Sequence, residues 1–96
     1  MKQILITSLT VLLLSSLALH SQEPQSTFQQ AREEFNEGIR KGLDKQYQQA
    51  LEHFEEALAL NPLYAEAHLY CGISLIELED YPQAIKKISI AMEIDP

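Results

Sequence analysis

The chain has 96 residues, with 14 acidic and 7 basic side chains and a formal net charge of −7. That balance argues against nucleic acid or an anionic membrane surface as partner, because phosphate binding needs a basic face. A single cysteine, Cys71, excludes an internal disulfide and any zinc site built from several thiolates. The first element in chain order is a leader over residues 1–21. Lys2 supplies a short basic start, residues 4–19 carry no charge, and a polar stretch begins at His20. These are the three parts of a secretory signal. Ser16 and Ala18 meet the small-residue requirement for cleavage after Ala18, whereas cleavage after Ser21 would put Leu19 at the minus-three position. The expected location is therefore the periplasm or the secreted fraction. The alternative is a retained membrane anchor, although the run contains Thr7, Ser8, Thr10, Ser15 and Ser16 and falls short of the ~20 apolar residues a spanning helix needs. Residues 22–27 read as a linker.

The rest of the chain matches itself at an offset of 34. Ala31 falls on Ala65, Gly38 on Gly72, Ile39 on Ile73, Tyr47 on Tyr81, Ala50 on Ala84, Ala57 on Ala91 and Pro62 on Pro96. A fixed spacing of this kind means one supersecondary unit used twice, here residues 28–62 and 63–96. In the first unit Phe28, Ala31, Phe35, Ile39 and Leu43 recur at three- and four-residue steps and predict an amphipathic helix. Thr27 is its expected cap, with Gln30 three residues on. A turn around Asp44-Lys45-Gln46 leads into a second helix carrying Tyr47, Ala50, Leu51, Phe54, Ala57 and Leu58. Asn61-Pro62 ends that helix and starts the next, since proline is tolerated at a first helical position.

The second unit repeats the plan. Leu69, Gly72, Ile73 and Ile76 are expected to line one face of its first helix. Glu79-Asp80 makes the turn, with Asp80 as cap and Gln83 three residues on. Ala84, Ile85, Ile88, Ala91 and Met92 follow on the last helix. Gly38, Gly72 and the repeated alanines are expected where two helices approach closely.

The series Gly38-Tyr47-Ala50-Ala57-Pro62, repeated as Gly72-Tyr81-Ala84-Ala91-Pro96, resembles the tetratricopeptide repeat family. The resemblance covers residues 31–96. It implies an all-α fold of tandem antiparallel helix-turn-helix hairpins, a fragment of an α-solenoid, in which those ten positions define the repeat core. It further implies a concave surface for peptides or partner helices, no catalysis and no cofactor. Glu34 and His68 stand where the family usually has an aromatic, and Glu37 and Lys41 occupy positions that are normally apolar. The first helix thus reads as an edge facing solvent.

Nothing in the remaining residues assembles a catalytic site. His68 and Cys71 lie three apart, but no second pair of ligands has suitable spacing, so Cys71 reads as a small core residue and His68 as partly buried packing. His53 reads as a surface residue, and the many glutamates as a solvated helix face. Neither a phosphate loop nor a nucleophile elbow occurs. The groove implied by the resemblance would be formed by Arg32, Phe35, Ile39 and Leu43 with Glu66, Leu69, Ile73 and Ile76. This apolar stripe suits an amphipathic helix or an apolar peptide. The expected function is that of an exported adaptor or assembly factor. The competing readings are a membrane-tethered structural component and a truncated relative of a longer array. Ile85, Ile88, Ile90, Met92 and Ile94 put apolar residues on more than one side of the last helix, which predicts self-association through it.

Overall fold

A computed structural model describes residues 26–96. The leader expected over residues 1–21, and the linker as far as residue 25, lie outside the described residues. Among the described residues four helices follow one another: α1 (Thr27–Leu43), α2 (Tyr47–Leu60), α3 (Ala65–Glu77) and α4 (Tyr81–Ile94). The fold is all-α. α1 packs on α2, α3 on α4, and α2 on α3, so two hairpins stack in chain order.

Helix ends follow local chemistry. The cap of α1 is Ser26 rather than Thr27. Its hydroxyl accepts from the Gln29 N–H at 3.2 Å, and Gln29 Oε1 accepts from the Ser26 N–H at 3.2 Å. The sequence offered two adjacent hydroxyls, and the box closes on the one whose partner three residues on is Gln29 instead of Gln30. Arg40 and Lys41 in the last turn of α1 complement the helix dipole. At the ends of α1 and α3 the backbone turns through a left-handed residue, Lys45 (φ 62°) and Glu79 (φ 65°) respectively, at corresponding places. There the Lys45 N–H bonds the Gly42 carbonyl and the Gln46 N–H reaches the Lys41 carbonyl. Glu79 bonds Ile76, and Asp80 bonds Leu75, in the same way. Both turns thus satisfy the carbonyls a helix end leaves open. Asp80 caps α4 as expected, its Oδ1 accepting from the Gln83 N–H at 3.4 Å.

Pro62 does not open α3. After Asn61 a short turn intervenes, in which the Tyr64 N–H bonds the Asn61 carbonyl at 3.1 Å and the Leu63 N–H bonds Asn61 Oδ1 at 3.3 Å. Asn61 can satisfy two backbone donors by itself, and this holds the chain in a turn until Ala65.

The core is built from Phe35, Ala50, Phe54, Ala57, Leu58, Ala67 and Cys71. Glycine makes the close approaches inside each hairpin. A Cβ on Gly38 would lie 2.5 Å from a ring carbon of Phe54. One on Gly72 would strike Ile88 and sit 3.2 Å from the Ala84 carbonyl oxygen. Ala50, Ala57, Ala84 and Ala91 are buried. Tyr81, Pro62 and Pro96, expected among the core positions, are exposed, and Tyr47 is half-buried. The prolines shape the loops and do not fill the interior. Phe28 and Leu43, the two ends of the α1 stripe, are exposed as well. α1 has 17 residues and α2 has 14, so the stripe runs past the helix that covers its middle.

The interior face of α3 comprises Ala67, His68, Cys71, Gly72, Ser74 and Leu75; of the four residues expected to share one face, Gly72 lies inside, while Leu69, Ile73 and Ile76 are exposed, as a groove requires. α3 is clamped between α2 and α4, and close contact on two sides favours the small Ala67, Cys71, Gly72 and Ser74 in its interior, with His68 and Leu75 as the larger members.

Candidate protein-interaction surface

Four aromatic rings mark the seam between the hairpins. Phe35 on α1 lies 5.6 Å from Phe54 on α2, 5.0 Å from Tyr64 before α3 and 5.4 Å, edge-on, from Tyr70 on α3. Tyr70 and Phe54 are 5.8 Å apart. Separations of this size are those at which ring edges meet ring faces favourably. Phe35, expected in the groove, is thereby a core residue, only 8% exposed. No partner reaches it while the hairpins stay stacked.

Beside these rings opens an apolar cavity of about 210 Å³, walled by Ile39, Leu43, Tyr47, Phe54, Tyr70 and Ile73, with Gly42 and Ser74 at its margin. Three of the expected groove residues, Ile39, Leu43 and Ile73, meet here. Tyr47 and Tyr70 complete the wall and were absent from the expected groove. Their signal was their type: aromatics that keep some solvent contact next to an apolar stripe are common in binding surfaces.

The remaining expected groove residues go elsewhere. Glu66 and Leu69 line a second concavity of about 140 Å³ with Ala65, Ala91, Met92 and Asp95, on the far side of the second hairpin. Arg32 and Ile76 are exposed and line neither cavity. The single stripe expected along α1 and α3 is therefore divided. The stacking of Phe35 against Tyr64 and Tyr70 fills its middle.

The polar residues hold helices to one another. His53 is half-buried, contrary to the surface role expected of it, and its Nδ1 donates to Glu34 Oε2 at 2.8 Å, joining α2 to α1. Lys87 Nζ lies 3.3 Å from Glu55 Oε1 and ties α4 to α2. His68 is 7% exposed, and its Nε2 donates to the Pro62 carbonyl at 2.8 Å, pinning the loop between hairpins to α3. Its Nδ1 is buried without a hydrogen-bond partner. Burial pushes the Cys71 thiol up to about 12, with the neighbouring Glu55 carboxylate adding to the shift. A thiol held protonated in this way is a poor nucleophile. Burial also raises Tyr64, with Glu66 raising it further and Arg32 opposing. Among the described residues, no group of three or more His, Cys, Asp or Glu side chains is placed to hold a metal ion. No helix among them is long and apolar enough to cross a membrane.

Stacked helical hairpins and glycine at the tight crossing of each pair are what the repeated residues build. A family model for the tetratricopeptide repeat matches residues 43–96, more than half of the chain. The chain belongs to the tetratricopeptide repeat family. The matched part begins at the last residue of α1, and α1 is the helix in which Glu34, Glu37 and Lys41 break the repeat's apolar positions. Members of this family are generally modules for protein–protein interaction and typically carry no catalysis. No curated protein matches the chain.

Proposed function

We propose that the protein is an exported interaction module that holds an apolar side chain of a peptide or amphipathic helix in the cavity between its hairpins. The observation that carries this reading is the cavity walled by Ile39, Leu43, Tyr47, Phe54, Tyr70 and Ile73. Aromatic walls offer large contact area with little rotamer entropy to lose, which favours capture of a single anchor residue. The leader read over residues 1–21, with its charge-free run at 4–19, supports export, and the partner would then be a protein of the envelope or the secreted fraction. Retention of the leader as a membrane tether would leave the cavity's role unchanged.

The test is capture of partners from the envelope fraction by the tagged chain and by a Leu43→Asp, Ile73→Asp variant. Both substituted residues are exposed, at 79% and 41%, so the helical circular dichroism signal is expected to persist while capture is lost. Capture that survives in the folded variant excludes this cavity as the site. N-terminal sequencing of the exported chain is expected to find cleavage after Ala18 or Ser21. A full-length chain recovered from membranes overturns the export reading and leaves the cavity reading standing.

A further inference from the structure

The second concavity has a counterpart inside the molecule whose occupant is visible. Shifted back by the repeat offset, Ala65, Glu66, Leu69, Ala91, Met92 and Asp95 become Ala31, Arg32, Phe35, Ala57, Leu58 and Asn61. In the first hairpin these positions are covered. Phe35 is 8% exposed and Leu58 7%, whereas Leu69 is 39% and Met92 65% exposed. α3 and the loop before it provide the cover. Ala67 and Cys71, one helical turn apart, have no exposure, and the Tyr64 ring stacks 5.0 Å from Phe35. One helix is thus what a face of this construction takes.

The charges of the two faces differ. At the filled seam the first hairpin contributes Arg32, and the covering segment contributes Glu66, with Tyr64 lying within the influence of both. At the open face the place of Arg32 is taken by Glu66, and that of Asn61 by Asp95. A covering helix that copied α3 would bring an acidic first turn against an acidic rim. The complementary helix carries a basic residue there.

We propose that the open face of α3 and α4 docks one α-helix of another protein, with small residues four apart on its contact side and a lysine or arginine in its first turn. A second copy of this chain fits less well. Its α1 has Glu33 and Glu37 where α3 has Ala67 and Cys71, and these carboxylates would enter the closest approach. Symmetric pairing centred on this face would bring Glu66 and Asp95 of the two copies near one another. The self-association expected from the apolar residues of α4 is opposed by this acidic border.

The probe is a stapled helical peptide copying residues 62–78 of this chain, in its native form and with Glu66→Lys, titrated by fluorescence anisotropy against the full chain. The lysine peptide is expected to bind at least about tenfold more tightly, with an advantage that shrinks as salt rises. Glu66→Lys in the protein is expected to reverse the preference. Met92→Lys is expected to weaken the lysine peptide at least about tenfold, from loss of apolar contact and added like charge. Ile73→Asp in the other cavity is expected to leave it unchanged, which separates this site from the one proposed above. Equal binding of the two peptides overturns the proposal, as does sensitivity to Ile73→Asp without sensitivity to Met92→Lys. Sedimentation showing a dimer that Met92→Lys dissociates also overturns it and gives the face to a second copy.

Discussion

The two hairpins are built from corresponding residues, yet they bury them differently. In the first, Phe35, Phe54, Ala57 and Leu58 are all less than a tenth exposed. In the second, Ala91 is buried, but Leu69 and Met92 are exposed and Ile88 is half-buried. The two hairpins share one design, so the contrast comes from the neighbour. α3 lies over the far side of the first hairpin, and no described residue lies over the far side of the second. A repeat of this kind gains much of its stability from its stacking partner and only part of it from its own helix pair.

Truncations at corresponding positions test this directly and carry the largest expected effects. Leu58→Ala is expected to cost about 2–5 kcal/mol, because its side chain leaves a cavity in the seam. Met92→Ala, at the corresponding exposed position, is expected to stay within about 0.5 kcal/mol. Urea unfolding followed by circular dichroism measures both. Equal losses would mean that the neighbour matters less than the hairpin itself.

Glycine substitutions sharpen the comparison at the next level, where the two hairpins should behave alike. Gly38→Ala pushes a methyl into the Phe54 ring, and Gly72→Ala pushes one into Ile88 near the Ala84 carbonyl, so each is expected to cost about 1–3 kcal/mol. At Gly42 the nearest atom to an added Cβ, in Ala50, is 4.0 Å away. Gly42→Ala is therefore expected to stabilise by about 0.4–1 kcal/mol, through reduced freedom of the unfolded chain. Thermal melts of the three variants give the signs. A stabilising Gly72→Ala would show that the crossing of α3 and α4 is looser than that of α1 and α2.

The smallest effects concern the turns. Lys45→Gly and Glu79→Gly relieve a side chain held at positive φ and are each expected to raise stability by up to about 1 kcal/mol. Both turns are local, so the gains should be equal. A gain at one site alone would show that stacking reaches into the turn.

The number of helices, their order and the glycine crossings were legible because each depends on residues close in sequence or repeated at the 34-residue offset. The repeated Gly38 and Gly72 mark the crossings without coordinates, while the side chains they meet, Phe54 and Ile88, come from the structure. The cap of α1 was displaced by one residue because adjacent hydroxyls are equivalent to a spacing rule and unequal to a hydrogen bond. His53 was misplaced because its partner, Glu34, lies on another helix, and no periodicity links the two. The groove was the least legible feature. A helical period tells which residues share a face, and Phe35, Ile39, Leu69 and Ile73 do. It does not tell which of them a neighbouring helix will cover.

The sequence by itself determined the repeated hairpin, because helix periodicity, capping, turn formation and close approach at glycine act within one unit. Only the tertiary structure decided which apolar residues became core and which stayed open. Burial depends on what lies across the contact. Tyr64 and Tyr70 close over Phe35 and split the expected stripe in two, leaving a cavity at Ile39 and Ile73 and a separate face at Leu69 and Met92. Corresponding residues met different surroundings, and the removal of apolar surface from water follows the surroundings.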